Sequence, residues 1–255
     1  MGTSRFAYVQ ARLQARHGLR PLESTWRLLD ASYSLEHYLQ ATRHTSLRPW
    51  VVRLPGKPDV RSIEWTLREN WIRYIHSIAQ WQPPPWQAGV RWIALLVNLP
   101  AFAHLVHGLP APPWMQDDVE LHPVSRADAS SRFEAIHGSG FAPLLSVTNR
   151  ELDSWEGWRA HWHTLLPRTS KRIRAGLRRL ERSVEGHLLE VQQRSDEDSD
   201  RPRSRLSAEL VGLFRAYAQT PVAVFSHLGI VALDLERLRA ALVLRALFRA
   251  GDRAV

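Results

Sequence analysis

Apolar residues recur at helical spacing along most of the chain. Ile63, Leu67 and Ile78 stand at intervals that place them along one face of a helix, and residues 22–29 and 35–39 show the same spacing. Alternation of apolar and polar residues between hairpin turns is nowhere convincing. The pattern therefore predicts an all-α fold.

Turn and capping residues indicate where several helices begin and end. A first, arginine-containing helix is expected to stop near residues 18–21, and Thr169 or Ser170 can cap a later one. A final pair is predicted over residues 206–217 and 221–248, with a break at Thr220 and Pro221. The wide apolar face predicted for the last helix contains Val231, Leu235, Leu238, Leu242, Val243 and Leu247.

Two stretches suggest an internal repeat. Residues 39–51 and 133–145 share a short helical pattern, a small polar turn and an exit containing proline. Duplication of one helical unit explains this similarity, and chance similarity between two proline-ended helices is the alternative.

The predicted organisation is a single all-helical domain over residues 1–255. Possible lobes are residues 1–115 and 116–255, and the acidic, proline-containing stretch 194–205 is predicted to be an exposed linker. Residues 92–116 contain no charged side chain other than histidine. Because that stretch includes Asn98 and Pro100, a buried helix pair broken at Pro100 is preferred over a membrane span.

Composition narrows the functional classes. The 255-residue chain has 34 Lys and Arg against 25 Asp and Glu, a formal net charge of +9, and basic and acidic segments alternate along it. This alternation argues against one continuous nucleic-acid-binding stripe. With no cysteine, the chain has no thiol nucleophile, disulfide or cysteine-ligated metal. The first ten residues lack the apolar core of a signal peptide, so a cytoplasmic location is expected.

Signatures of catalysis are missing from the sequence. It contains no Walker phosphate loop, HExxH, GxSxG or dinucleotide fingerprint. Asp117 and Asp118 are interpreted as a solvated helix start, and His161 and His163 point to different faces of a helix. We therefore expect no enzyme activity, no cofactor, no metal and no small-molecule substrate.

One basic helix is the most suggestive electrostatic feature. Residues 168–182 contain seven bases around an apolar line that includes Ile173, Leu177 and Leu180. A solvated face is the preferred interpretation. Contact with anionic lipid headgroups or an acidic protein comes next, and nucleic acid ranks below both.

Segments near the two ends of the chain together carry a family resemblance. Residues 5–16, RFAYVQARLQAR, resemble the Tyr-x-x-Ala-Arg-x-x-Ala start of the connector subunits of V-type and A-type rotary ATPases, which are the C-type chains of A/V-type ATP synthases and the d-type chains of eukaryotic V-ATPases. A leucine-rich helix follows, then SLEHYL at 34–39 and TSLRPW at 45–50. Residues 220–228, TPVAVFSHL, with 234–239, DLERLR, are similar to the closing helices of that family.

The resemblance implies a funnel-like helical bundle built from repeated short units, with a coupling function. Members of the family are non-catalytic connectors between the central rotor shaft and the ion-carrying membrane ring of a rotary ATPase, and they support proton or sodium transport. The implied partners are those other subunits. The implied location is cytoplasmic, in peripheral contact with the inner face of the cell membrane. The alternative function is a basic nucleic-acid-binding helical protein.

Exposed arginines are the candidate protein-binding residues. For those on the first and last helices, a salt bridge to a neighbouring helix is the preferred interpretation, and protein binding is the alternative. The full set is Arg12, Arg16, Arg172, Arg174, Arg178, Arg179, Arg182, Arg237 and Arg239.

Overall fold

A computed structural model describes residues 3–107, 109–111, 113–116, 118–128, 130–145, 154–193 and 200–251. Within these ranges the chain contains helices and no strand, which confirms the all-α prediction. The chain divides into two compact units. Unit 1 comprises residues 1–83 and 168–255, and unit 2 comprises residues 84–167.

Unit 1 is built from both ends of the sequence. Its N-terminal helices are α1 (Thr3–Gly18), α2 (Glu23–Asp30), α3 (Leu35–Arg43), α4 (Arg48–Val51) and α5 (Val60–Trp81). Its C-terminal helices are α12 (Lys171–Gln193), α13 (Asp200–Ala216) and α14 (Pro221–Gly251).

The 31-residue helix α14 lies at the centre of unit 1. It packs against α1, α3, α5, α12 and α13. Residues 221–228 are buried on all sides, because helices surround that part of α14. From residue 236 onwards only one face is buried, including Leu238 and Leu242. The predicted apolar face is wrong at Leu247, which is 57% exposed because it falls on the opposite side.

The turn before α14 ties it to α1. Gln219 has a φ of 60°, in the left-handed region, so its backbone reverses direction between α13 and α14. Its N–H donates to the Gln10 side chain at 3.0 Å. Pro221 then starts α14, as predicted, because proline fits the first turn of a helix.

Close packing holds α12 against this turn. A Cβ added at Gly176 would lie 2.7 Å from the Tyr217 ring and 2.9 Å from Val222. At the start of α12 the N–H of Ile173 donates to Ser170 Oγ at 3.3 Å, so Ser170 caps the helix as predicted.

Unit 2 contains shorter helices. They are α6 (Pro84–Trp92), α7 (Leu99–Val106), α8 (Pro113–Gln116), α9 (His122–Arg126), α10 (Arg132–His137) and α11 (Ser154–Leu165), with 3-10 turns at Ile93–Asn98 and Ala142–Leu144. Reciprocal bonds join α6 to α11: Trp92 Nε1 donates to the Trp158 carbonyl at 3.0 Å, and Trp158 Nε1 donates to that of Trp92 at 3.3 Å.

Two sequence-based boundaries differ from those of the structure. The units divide at residues 83/84 and 167/168 rather than at 115/116. Residues 200–205 begin α13 instead of forming a linker, because a proline in the first turn of a helix loses no intrahelical hydrogen bond. Residues 194–199 lie outside the described ranges.

The apolar stretch 84–106 also differs from its predicted form. The α-helical pattern changes at the 3-10 turn Ile93–Asn98, ahead of Pro100, which lies in the first turn of α7. Within the described residues, Pro84–Val106 is the one stretch whose length and apolar composition suffice to cross a membrane, and about half of its most apolar part is buried within the protein.

Candidate functional site

Helix α1 carries arginines at one-turn intervals. Arg12 and Arg16 are four residues apart, so they lie along one side of α1, and Arg20 follows the end of that helix. Val9 and Leu13 are buried and hold α1 in the unit. The three guanidinium groups therefore occupy fixed places, but their partners differ.

Arg20 is paired with a carboxylate of α14. Its Nε and Nη2 donate to the two Asp234 oxygens at 2.6 and 2.9 Å. Burial raises the pKa of Asp234, and the hydrogen bonds from Arg20 oppose that shift. This two-point contact locks α14 to the end of α1.

Arg12 and Arg16 instead lie against aromatic rings. The guanidinium carbons lie 4.1 Å and 4.4 Å, respectively, from the centre of the Trp81 ring. Arg12 also donates to Tyr8 Oη at 2.7 Å, and Arg16 donates to Ser77 Oγ at 3.3 Å. Among the described residues neither arginine forms an ion pair. Two positive charges are thus held against one ring, with no carboxylate partner in the described part of the chain.

A buried group of rings lies behind Arg16. Its guanidinium carbon is 4.7 Å from the centre of the Tyr74 ring, and Tyr74 Oη is 2.7 Å from Nε2 of His227. His227 is fully buried. The His17 ring stacks on Phe214, with ring centres 4.6 Å apart. Helices α1, α5, α13 and α14 each supply one or more of these rings.

Burial keeps this ring group neutral. Burial, helped by the nearby charges of His17, Arg20 and Arg16, lowers the pKa of His227 from 6.5 to about 3. Burial and the charges of Arg20 and Arg215 also lower the pKa of His17, whereas burial raises that of Tyr74. A neutral, buried group of this kind supports the orientation of Arg16 and adds no carboxylate to balance its charge.

The predicted arginines of α14 form ion pairs inside unit 1. Arg237 contacts Glu23 and Asp30, each at 3.0 Å, and also lies over the Trp26 ring. Arg239 pairs with Glu64 at 2.6 Å. Both side chains therefore match the preferred interpretation of a salt bridge between neighbouring helices.

The predicted arginines of α12 are all exposed. Arg172 donates to the Ala216 carbonyl at 3.1 Å, Arg174 to that of Thr169 at 3.0 Å, and Arg182 to its own helix. Arg178 and Arg179 have no ion pair or side-chain hydrogen bond within the described part of the chain. The structure thus separates a basic surface on α12 from the Arg12 and Arg16 pair on α1.

Other candidate ligands do not assemble into a site. Asp118 is buried and its Oδ1 accepts from the N–H groups of Glu120 and Leu121, so it organises a turn instead of starting a solvated helix. His161 lies against the Trp92 ring. Across the described ranges, no group of three or more His, Cys, Asp or Glu side chains is placed to hold a metal ion. Asp117 lies outside those ranges.

Sequence reasoning selected Arg12 and Arg16 but missed the rings that hold them. Trp81 and Tyr74 belong to α5, and His227 interrupts the apolar run at the start of α14. His227 was the signal that could have revealed these rings, because a polar side chain in an otherwise apolar, buried helix needs a hydrogen-bond partner. Its partner is 153 residues away in sequence, which local spacing does not reveal.

No protein-family model, curated protein or solved structure matches the chain. The residues and their geometry are therefore the basis for a functional proposal.

Proposed function

We propose that this protein is a non-catalytic connector in a V/A-type rotary ATPase, coupling the central shaft to the ion-carrying membrane ring. The observation that supports the proposal is the joining of the two segments that resemble the family. Helix α1 packs on α14. Gln10 bonds to the backbone before α14, and Arg237 on α14 pairs with Glu23 on α2.

Such a role requires rigid contacts between helices. A protein that transmits torque must resist shear between its parts, and networks of ion pairs and packed helices supply that resistance without acid–base chemistry. In unit 1, Arg20, Arg237 and Arg239 connect α14 to the end of α1, α2 and α5.

The proposal includes the funnel-like arrangement and the duplicated helical unit. Residues 39–51 and 133–145 each contain the end of a helix, a turn and a short helical exit with proline. Leu47 and Phe141 occupy matching positions and are both buried. The two stretches differ at Leu39, which is buried, and Phe133, which is 56% exposed.

The test is recovery of the native complex. The tagged chain is expressed in its own cells, membranes are isolated, and the proteins that co-purify are identified by mass spectrometry. The proposal expects shaft and ring subunits of a rotary ATPase, in amounts exceeding those recovered with an untagged strain. A folded, membrane-associated chain that brings down none of these subunits would overturn it.

A further inference from the structure

We propose that Arg12 and Arg16 form a binding site for carboxylate side chains of an acidic helix on a partner protein. The inference rests on the proposed function, because it specifies one contact through which a connector would hold a neighbouring protein of the complex.

Several other arginines of unit 1 are neutralised within the chain. Arg20, Arg237 and Arg239 pair with carboxylates of this chain, and Arg203 and Arg205 pair with Glu236 and Glu190. Arg12 and Arg16 lie in the same unit but contact rings and hydroxyl groups. Arg16 is only partly exposed, so its charge is incompletely solvated. The exposed arginines of α12 also lack a carboxylate partner, but Arg12 and Arg16 differ from them in being held against the Trp81 ring, where an external anion would supply the counter-charge.

The two guanidinium groups are already held in place before any anion binds. Stacking uses the flat face of a guanidinium group and leaves its N–H edges available. Each guanidinium carries five N–H donors, and the described contacts of Arg12 and Arg16 use one apiece. Because Trp81 already restricts both side chains, an anion that binds them costs little additional side-chain entropy.

The site is small, because it contains only two arginines. Arg12 and Arg16 are one helical turn apart, about 6 Å along the axis. Glutamates four residues apart on a facing helix have the same spacing. Binding of nucleic acids gains affinity from longer rows of Lys and Arg side chains on the protein. Anionic lipid surfaces attract clusters of about four to eight such side chains. Two fixed arginines suit a pair of protein carboxylates better than either.

Binding is tested with a synthetic helical peptide that carries glutamates four residues apart and no basic residue. The matched control peptide has glutamine at those positions. The full chain is titrated with each, while NMR follows the Nε–Hε signals of Arg12 and Arg16. The inference expects both signals to shift with the glutamate peptide only, and the affinity to fall as salt is added.

Variants separate this site from general electrostatic attraction. R12Q/R16Q should weaken binding of the glutamate peptide roughly tenfold, because two charge-assisted contacts are lost. The control R178Q/R179Q removes the same charge from α12 and should change affinity less than about twofold. Equal weakening by both variants, or equal binding of both peptides to the parent chain, would overturn the inference. A DNA oligonucleotide that shifts the Arg12 and Arg16 signals more strongly than the peptide would overturn it too.

The membrane pull-down keeps this inference distinct from the proposed function. If the parent chain and R12Q/R16Q recover rotary ATPase subunits equally, the site is wrong and the connector role survives. If the parent chain recovers none but binds the glutamate peptide through Arg12 and Arg16, the connector role fails and the site stands.

Discussion

Single side chains in unit 1 combine burial with polarity, and His227 is the extreme case. Its ring is fully buried against Tyr74, and burial lowers its pKa from 6.5 to about 3. Between those values the unfolded chain binds a proton at this residue and the folded chain does not. Stability from this group is therefore present above about pH 6.5 and is lost as the pH falls towards 3.

We therefore expect His227→Gln to flatten the acid dependence of stability. From about pH 6.5 to about pH 5, the parent should lose roughly 2 kcal/mol of unfolding free energy through this group. The variant should be less stable at neutral pH, because it loses the ring contacts, but should lose less on acidification. Urea denaturation across this pH range measures both effects. His76→Gln, at an exposed position of α5, is the control, and equal slopes for His227→Gln and the parent would contradict the prediction.

At the scale of the element, α12 shows how a helix is fixed by one small residue. Gly176 faces the Tyr217 ring and Val222, where a Cβ would be too close. Gly186, ten residues later on the same helix, faces open space. A methyl group added at Gly176 should therefore be unfavourable, and one added at Gly186 should be favourable.

Gly176→Ala should destabilise the protein by about 1–3 kcal/mol, because the added methyl group overpacks the contact with Tyr217 and Val222. Gly186→Ala should stabilise it by up to about 1 kcal/mol, because alanine favours the helix and meets no neighbour. Urea midpoints measure both changes. Destabilisation of similar size by both substitutions would show that helix propensity, and not the close contact, decides the outcome.

The basic surface of α12 supports a separate prediction. Because Arg178 and Arg179 lack ion pairs within the described part of the chain and Arg182 bonds only to its own helix, R178E/R179E/R182E should leave the fold intact. If this surface meets an acidic protein or anionic lipid, the variant should lose its association with the membrane-bound complex. Sedimentation with isolated membranes measures that association. A folded variant that co-sediments as the parent does would identify this face as ordinary solvated surface.

The sequence predicts helices better than it predicts their limits. Periodic apolar positions locate α5, α12 and α14, because a helix that buries one face repeats locally. The expected linker over residues 194–205 fails at 200–205, because acidic residues and proline also suit the first turn of a helix. For the candidate site, too, the sequence predicts only what a local pattern reveals. Spacing identifies Arg12 and Arg16 as neighbours, but Trp81 reaches them through tertiary packing that has no local pattern.

At the scale of the whole molecule, unit 2 is an insertion between the two halves of unit 1. The two halves of unit 1 meet through long-range contacts such as Arg20 to Asp234. Unit 2 has its own buried core, which includes Phe102, Phe141, Trp158 and Trp162. Separate cores allow separate unfolding, since each unit loses its own buried apolar area.

We expect a substitution in the core of unit 2 to loosen that unit selectively. A Cβ at Gly157 of α11 would collide with the carbonyl group of Leu144, and a backbone atom moves aside less easily than a side chain. Gly157→Ala should therefore destabilise unit 2 by about 1–3 kcal/mol. Hydrogen exchange measured by mass spectrometry should increase in peptides from α6 and α11 and stay unchanged in peptides from α14. Gly140→Ala, which meets no neighbour within 4 Å, is the control in the same unit. If exchange rises equally in α14, the two units unfold as one, and the division of the chain into separately stable parts is wrong.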